Sequence, residues 1–323
     1  MHFGLQFDFR NPPSGGTSMA ERYEVGLEMA AWAEAQGAQL LTVSEHHGQT
    51  DGYLPSPLLL LAGMAARTSS IRLMVTALIA PFYEPLRLAE DLLVLDNLSA
   101  GRVDLVVAGG YVTEEFELFG ISSSERGARV TEVVTTLKAA FTGEPFEYRG
   151  RTVTLTPPPC QPGGPRVLMG GSSRVAAERA ARLADGFFPT DEKWWPSYRD
   201  ELARLGKPDP GPFSIGAFGT VAFAEDPVAG WEEMAPYFLH EHNAYASLQQ
   251  ASENGRAVRP VADLEELARL GTYRVLSPEA YVAEQRESGR SFQMLTPLCG
   301  GMPPEHAWES LRLFGEVVLP ALR

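Results

Sequence analysis

The stretch Leu40-Leu41-Thr42-Val43-Ser44-Glu45-His46-His47-Gly48 is an apolar run that ends abruptly in a carboxylate and two imidazoles. An apolar, β-branched run closed by a glycine is typical of a strand buried on both faces, as in a parallel sheet. The carboxyl ends of such strands face the ligand crevice in open α/β sheets and in (β/α)8 barrels. The stretch therefore predicts a strand that carries ionisable groups to a site, although two buried, hydrogen-bonded histidines with a capping glutamate would give the same pattern.

Composition limits the classes of function. The chain has 323 residues, with 27 Lys and Arg against 41 Asp and Glu, so its net charge is -14. Such a surface repels phosphate backbones and anionic lipids, which disfavours binding to nucleic acid or to membranes. No apolar run reaches membrane-spanning length, the first residues do not resemble a secretion signal, and Cys160 and Cys299 form no CxxC pair. We therefore expect a cytoplasmic protein without disulfides.

Strand and helix patterns alternate on both sides of the opening stretch. Eight strands are predicted, near residues 2–8, 40–47, 71–79, 103–108, 167–169, 187–189, 214–224 and 293–296. The connections between them are long enough for helical crossovers between parallel strands. This alternation predicts a single α/β domain over residues 1–323, a (β/α)8 TIM barrel, while an open doubly wound sheet would show the same periodicity.

The connection between the last two predicted strands is unusually long. Roughly sixty residues lie there, more than one crossover helix needs. The part at about 237–275 mixes His, Asn, Ser, Gln and Arg with scattered aromatic residues. We interpret it as an insertion after strand 7 that can act as a mobile lid.

The Glu45-His46-His47 triplet is the first candidate for chemistry. Adjacent side chains of a strand point to opposite faces, so at most one of the two imidazoles can face the barrel axis. A histidine suits proton transfer near neutral pH, and a neighbouring carboxylate fixes its tautomer. A metal site is not expected, because the His240-Glu241-His242 motif supplies two ligands and no other cluster completes the set.

Two glycine-containing loops are candidates for binding a ligand. Gly170-Gly171-Ser172-Ser173 stands between a predicted strand and a helix, where backbone amides and hydroxyl groups can hold a phosphate. Gly109-Gly110-Tyr111 follows strand four and would let a flat ligand or a phosphate approach the main chain. A serine-capped turn and a tight loop are the alternatives for these two stretches. The chain contains neither a GxGxxG fingerprint nor a Walker motif.

Several of these motifs, in this order, resemble the bacterial luciferase-like monooxygenase family. The resemblance covers nearly the whole chain and is carried by residues 45–47, 88–102, 115–120, 170–173 and 313–320. It implies a (β/α)8 barrel with an insertion, usually dimeric, that uses reduced FMN or the deazaflavin F420.

The same resemblance implies roles for individual residues. His46 matches the catalytic histidine beside the isoalloxazine ring, and Glu45 matches a carboxylate of the cofactor site. Thr76-Ala77-Leu78 matches the end of strand three, whose backbone, often with a non-prolyl cis peptide, backs the ring. The region that holds the ribityl phosphate is matched by Arg126, Gly171, Ser172, Ser173 and Arg174, and Gly170 precedes it.

Two positions depart from the family pattern. Residue 108 is Ala where the light-emitting enzymes have a reactive cysteine, so luminescence is not expected. Residue 109 is Gly where those enzymes have a phosphate-binding arginine, so the anion must depend on backbone amides and on Arg126 or Arg174.

The function implied by the resemblance is that of a two-component monooxygenase. A separate reductase would supply reduced FMN, and the barrel would use it with O2 to oxidise a small, apolar substrate, with His46 as proton donor or acceptor. F420-dependent hydride transfer without O2 is the first alternative, and a non-catalytic flavin-binding accessory subunit is the second. We expect a homodimer. A set of aromatic residues is predicted to lie either in the substrate pocket or in the core: Phe7, Phe9, Tyr53, Phe82, Tyr111 and Trp194.

Overall fold

The structure is a computed structural model that describes residues 1–212, 220–250 and 258–322. Its strands are β1 (His2–Phe7), β2 (Leu40–Val43), β3 (Arg72–Ile79), β4 (Val103–Ala108), β5 (Phe146–Tyr148), β6 (Arg151–Val153), β7 (Arg166–Gly171), β8 (Gly186–Pro189), β9 (Thr220–Phe223), β10 (Tyr273–Leu276) and β11 (Phe292–Leu295). Its helices are α1 (Met19–Ala35), α2 (Pro57–Arg67), α3 (Pro85–Leu98), α4 (Thr113–Leu118), α5 (Arg126–Ala140), α6 (Arg174–Leu183), α7 (Trp195–Leu205), α8 (Pro227–Gln250), α9 (Leu264–Leu270), α10 (Pro278–Ser288), α11 (Pro304–Leu313) and α12 (Leu319–Leu322).

Seven strands form one parallel sheet in the order β11-β1-β2-β3-β4-β7-β8. Each strand pairs with its predecessor in the main alternation, and the last strand lies beside the first, as in the wall of a barrel. The small antiparallel β5-β6 hairpin stands outside this sheet. The α/β class and the curled parallel sheet are thus confirmed. Within the described ranges no ladder joins β8 to β9, so closure of the full barrel stays a prediction.

The region around the predicted seventh strand differs in detail from the sequence interpretation. β9 lies in the described part of the predicted strand at 214–224, whose first six residues fall outside the described ranges. β9 pairs in parallel with β10, a strand that the sequence analysis did not predict. β10 has only four residues at the end of the predicted insertion. So short a run is hard to separate from a loop by its alternation alone.

The segment at about 237–275 is largely regular where the structure describes it. It contains the second half of α8, then α9 and most of β10, while residues 251–257 lie outside the described ranges. Asn243 on α8 exchanges two hydrogen bonds with the backbone of Val261, at 3.0 and 2.9 Å. These bonds fix the returning chain against α8. The insertion as a mobile lid remains a prediction.

The two faces of the sheet bury different sets of side chains. Leu73 and Leu105 face the outer helices and belong to the main hydrophobic core. Met74, Val106 and Leu168 form a separate buried cluster on the opposite face. Because side chains alternate along a strand, these neighbours on one strand line both faces. The carboxyl ends of the strands meet at one rim, which positions the candidate site.

Candidate active site

His46 and Glu115 form the central pair at this rim. His46 follows the end of β2 and Glu115 lies on α4; both side chains are buried. The Nδ1 atom of His46 lies 2.7 Å from Oε1 of Glu115, and the same oxygen accepts the backbone N–H of His47 at 2.9 Å. Because a carboxylate accepts hydrogen bonds, this contact favours a proton on Nδ1. The Nε2 atom of neutral His46 is then a proton acceptor.

Three tyrosines surround the His46 ring. Its centroid lies 4.9 Å from that of Tyr53, 5.6 Å from that of Tyr111 and 6.3 Å from that of Tyr245, each in an edge-on arrangement. The hydroxyl of Tyr111 is 3.3 Å from His46 Nε2, and the hydroxyls of Tyr53 and Tyr245 are 2.8 Å apart. Burial raises the pKa of all three phenols. They therefore remain protonated at neutral pH.

His47 and Glu45 point to a different set of partners. Oε1 of Glu45 lies 2.7 Å from His47 Nε2 and accepts the Tyr83 hydroxyl at 3.0 Å, while Oε2 accepts the Ile79 backbone N–H at 2.9 Å. The His47 ring packs edge-on against Phe82 and Phe119. Glu45 thus links the end of β2 to the end of β3. His47 takes part in this link through its contact with Glu45.

The end of β3 carries the residues that the resemblance places behind a ring. The Thr76–Ala77 peptide is cis, and the β3-β4 ladder shifts its register between Thr76 and Leu78. The buried Oγ1 atom of Thr76 has no hydrogen-bond partner within the described part of the chain. A hydroxyl donor or acceptor at the rim is therefore available to a ligand.

The Gly109-Gly110-Tyr111 loop brings β4 next to α5. Gly110 has a φ of 70°, and a Cβ there would lie 2.9 Å from Ile79 Cγ2, so a larger residue would be strained. A Cβ on Gly109 would lie 4.0 Å from Cδ of Arg126. The stem of Arg126 therefore runs beside the end of β4.

The Gly170-Gly171-Ser172-Ser173 stretch joins β7 to α6. A Cβ on Gly171 would lie only 2.4 Å from Cβ of Ala176, so this glycine lets the helix pack closely against its strand. Ser173 is the N-cap of α6 and accepts the Ala176 N–H at 3.2 Å. Arg174 is 77% exposed and pairs with Glu178 on its own helix at 2.7 Å. The structure thus brings the serines, but not the guanidinium of Arg174, toward the rim.

Arg179 is a cation that the sequence analysis missed. Its Nη2 atom lies 2.9 Å from the position of a Cβ on Gly127, directly after Arg126 at the start of α5. Burial, and then the charge of Arg182, lower the pKa of Arg179. In the residues that the structure covers, Arg126 and Arg179 have no acidic partner. Two guanidiniums at the N-terminus of α5, which no acidic group of the described residues neutralises, suit an anion.

Arg10, Asp8 and Asp51 form a buried cluster of charged groups next to Tyr53 and Tyr245. Arg10 donates to Asp51, and its Nε lies 3.4 Å from Asp8. Its guanidinium carbon lies 4.5 and 4.9 Å from the ring centroids of Tyr53 and Tyr245. Burial alone would raise the pKa of Asp51, but the hydrogen bond to His240 and the charge of Arg10 lower it to about 2.

Only some of the predicted aromatic lining reaches His46. Tyr53 and Tyr111 contact it, whereas Phe7 and Phe9 stack on each other in the core. The contributions of Glu115, Arg10, Arg179 and Tyr245 were missed. Glu115 lies inside a stretch that carries the family resemblance, which was the only signal for it in the sequence.

The two histidines of the His240-Glu241-His242 motif have other partners. His240 Nε2 lies 2.9 Å from Asp51 Oδ2, and His242 Nε2 lies 2.9 Å from the backbone oxygen of Arg259. Among the described residues, no group of three or more His, Cys, Asp or Glu side chains could hold a metal ion. None of the helices in that part of the chain is long and apolar enough to span a bilayer.

Comparison with known proteins identifies relatives over most of the chain. The profile of the luciferase-like monooxygenases matches residues 1–290. The oxygenase component of the flavin-dependent trigonelline monooxygenase of Acinetobacter baylyi is 28% identical over 52% of this chain and 48% of its own length. The FMNH2-dependent dimethylsulfone monooxygenase of Pseudomonas putida is 30% identical over 39% and 36%.

The chain is also similar to an F420-dependent enzyme and to a monooxygenase of known structure. The F420-dependent glucose-6-phosphate dehydrogenase of Nocardia farcinica is 30% identical over 54% of this chain and 56% of its own. The chain spans about half the length of the curated relatives it matches. The crystal structure of the monooxygenase RslO1 from Streptomyces bottropensis has a TM-score of 0.80 and 26% identity, with 100% of both chains covered.

Proposed function

Because the chain belongs to the luciferase-like monooxygenase family, we propose that it is the oxygenase component of a two-component flavin-dependent monooxygenase. It takes reduced FMN from a separate reductase and uses O2 to oxidise a small organic substrate. The observation that carries this proposal is the buried Glu115–His46 pair, with His46 Nε2 turned toward Tyr111 at the strand rim.

The residues at the rim fit a flavin. The Thr76–Ala77 backbone, with the unpartnered Thr76 hydroxyl, and the Gly109-Gly110 loop offer main-chain atoms and a polar group to a flat ring. Glu45 acts on this surface indirectly, since it accepts hydrogen bonds from the Ile79 backbone N–H at the end of β3 and from the Tyr83 hydroxyl just beyond it. Reduced FMN, when bound, supplies the electrons that reduce O2 so that one oxygen atom can pass to the substrate.

The flavin phosphate is assigned to the space between α5 and α6. Ser172, Ser173 and the first amides of α6 are neutral donors, and Arg126 and Arg179 supply positive charge that no acidic side chain within the described ranges pairs with. Arg179 thus takes the role expected of Arg174, whose charge is directed to Glu178. This arrangement compensates for the glycine at position 109.

His46 is assigned to proton transfer. Glu115 holds the Nδ1 proton, so Nε2 is the atom that accepts a proton from, or returns one to, the reacting groups. The Tyr111 hydroxyl beside Nε2 stays protonated at neutral pH and can donate a hydrogen bond in the same place. The surrounding tyrosine rings exclude water from this position.

F420-dependent hydride transfer is the second candidate function. The similarity to an F420-dependent dehydrogenase favours it, and the same rim would accept a deazaflavin. Anaerobic titration of the protein with reduced FMN and with reduced F420 separates the two. Micromolar binding of reduced FMN, followed by O2 consumption on mixing with air, is the result expected. Binding of reduced F420 alone, with no O2 consumption, would replace the first proposal by the second.

A further inference from the structure

Tyr245 and Tyr111 are the rings beside His46 that keep part of their surface exposed, whereas Tyr53 is buried. A molecule that approaches His46 from the rim therefore meets Tyr111 and Tyr245. Tyr111 is already engaged with His46 Nε2. Tyr245 instead makes its hydroxyl contact with Tyr53, so its ring borders the site without entering the Glu115–His46 pair.

Two contacts hold Tyr245 in this position. On the same helix, α8, His240 lies 2.9 Å from Asp51 and fastens α8 to the loop after β2. The guanidinium of Arg10 lies against the rings of both Tyr53 and Tyr245, where cation–π attraction restrains them. Tyr245 is therefore a preorganised group, which loses little conformational entropy when a ligand binds.

The charges near Tyr245 limit the ligand that it can accept. Arg10 is already paired with Asp51 and Asp8, and Glu115 is paired with His46. A charged ligand group would have to be desolvated beside groups whose charges are already matched, which is costly. An uncharged ring with a carbonyl or hydroxyl group meets aromatic edges and the protonated phenol of Tyr245 without this cost.

We propose that Tyr245 of α8 determines substrate specificity by orienting an uncharged, flat substrate that carries a carbonyl or hydroxyl group beside His46. This inference rests on the proposed function, because it places the substrate next to the residue assigned to proton transfer. It adds the chemical class of the substrate and the residue that selects it.

The test measures equilibrium binding of two matched probe pairs to the purified protein, with and without reduced FMN under anaerobic conditions. The pairs are acetophenone with 4-acetylbenzoate, and phenol with 4-hydroxybenzoate. The proteins are the unmodified chain, Tyr245→Phe, and Tyr198→Phe as the matched control. Tyr198 is a buried tyrosine on the outer helix α7 that packs against Phe187 and Trp195, away from His46.

We expect the uncharged member of each pair to bind at least tenfold more tightly than its carboxylate. Tyr245→Phe should weaken the uncharged probes about threefold to tenfold, as expected for one lost hydrogen bond, and Tyr198→Phe should leave them unchanged. Neither substitution should alter the Kd of FMN. Thermal unfolding of each variant shows whether it is folded.

Three results would overturn the inference: carboxylate probes that bind as tightly as their uncharged partners, a Tyr245→Phe variant that binds like the unmodified protein, or no binding of any probe. Failure of the proposed function is a separate outcome. It is seen as absence of FMN binding to the unmodified chain, and the probe measurements without FMN still decide the inference in that case.

Discussion

At the scale of single residues, the direction in which a side chain points decides its role more than its residue type does. His46 and His47 are adjacent and chemically identical, yet one faces Glu115 and the tyrosines while the other faces Glu45 and Phe119. Glu115 fixes the first imidazole and leaves its Nε2 atom toward the rim. The proposed chemistry therefore depends on a pair of side chains that are 69 residues apart in the chain.

Replacement of His46 tests its role directly. In His46→Ala the Kd of reduced FMN should stay within a few-fold, because the phosphate and ring contacts are unchanged. Product formation should fall about 100-fold or more, the size expected for a lost general acid–base group. Single-turnover product analysis measures it, with His306→Ala on α11 as control. Unchanged turnover in His46→Ala would remove His46 from the mechanism.

Glu115 is predicted to be a positioning residue. Glu115→Gln keeps the shape of the side chain but replaces the acceptor of the Nδ1 proton by an amide that can donate instead. The rate of product formation should fall about tenfold to 100-fold, as for other groups that orient a reactive histidine. The Kd of FMN should not change. Glu117→Gln, an exposed substitution on the same helix, is the matched control, and equal rates for the two variants would contradict the assignment.

At the scale of elements, the longest of the stretches that carry the family resemblance has a structural role. Residues 88–102 form most of α3 and the turn into β4. The Arg102 guanidinium donates to backbone oxygens of Ala65, Thr68 and Ile71. This buried residue thus joins the end of α2 to the start of β4. The resemblance in this stretch reflects the scaffold and not the chemistry.

The start of α6 combines a helix cap with the proposed phosphate site. Ser173 and Ser277 cap α6 and α10 in the same way, each accepting a backbone N–H at 3.2 Å. Replacing either by Ala should lower the free energy of unfolding by about 1 kcal/mol. Only Ser173→Ala should also weaken FMN binding, by several-fold. Denaturant unfolding measures the first effect and anaerobic titration the second. Equal FMN affinity in both variants would show that Ser173 does not contact the phosphate.

The contact between α8 and the turn after β11 should make stability depend on pH. Burial, with the charge of Asp8, raises the pKa of Glu241 to about 8. Its carboxyl group, which accepts a hydrogen bond from the Cys299 thiol, therefore stays protonated in the folded state at pH values where the unfolded chain has lost that proton. The stabilisation is complete below about pH 4.5 and is lost as the pH rises through about 8.

Glu241→Gln should flatten this dependence, because an amide does not titrate. Between pH 5 and 8 the free energy of unfolding of the unmodified protein should fall more steeply than that of the variant, by up to about 1.4 kcal/mol per pH unit. Urea unfolding across this range measures both slopes, with Glu279→Gln on the surface of α10 as control. Parallel curves for Glu241→Gln and the unmodified chain would show that Glu241 is ionised in the folded protein.

At the scale of the whole molecule, exposed apolar side chains on neighbouring helices support the expected homodimer. Leu59 on α2 is 72% exposed, and Val94 and Leu98, one turn apart on α3, are 53% and 52% exposed. Adjacent exposed apolar groups of this kind mark interaction surfaces more often than isolated ones. The twofold pairing of this face is a prediction.

Charge introduced on α3 should separate the dimer. The double variant Val94→Glu with Leu98→Glu should sediment as a monomer while the unmodified chain sediments as a dimer, because burying two carboxylates at an interface is costly. Val175→Glu, at an isolated exposed valine on α6, should remain dimeric. A monomeric unmodified chain, or a dimer that survives the double substitution, would place the interface elsewhere or remove it.

Much of the fold and part of the candidate site could be predicted from local patterns. The strand that leads into Glu45-His46-His47, the loop at Gly170 and the helix cap at Ser173 are each contiguous in sequence, so periodicity and turn chemistry reveal them. β10 escaped prediction because four residues are too few for a pattern. The roles of Arg179 and Tyr245 escaped because each depends on a partner in another part of the chain.

By itself, the sequence determined the α/β alternation and the arrival of two histidines just after one strand, because these follow from short-range spacing of apolar, glycine and ionisable residues. The family followed from the resemblance of several motifs in the same order along the chain. Only the tertiary structure decided which imidazole meets Glu115, which arginines have no acidic partner among the residues it describes, and that Tyr53 and Tyr245, 192 residues apart, share a hydrogen bond. The physical reason is that pleating and helix periodicity act over a few residues. Burial, charge pairing and hydrogen bonds at the rim depend instead on how the curled sheet brings distant strand ends together.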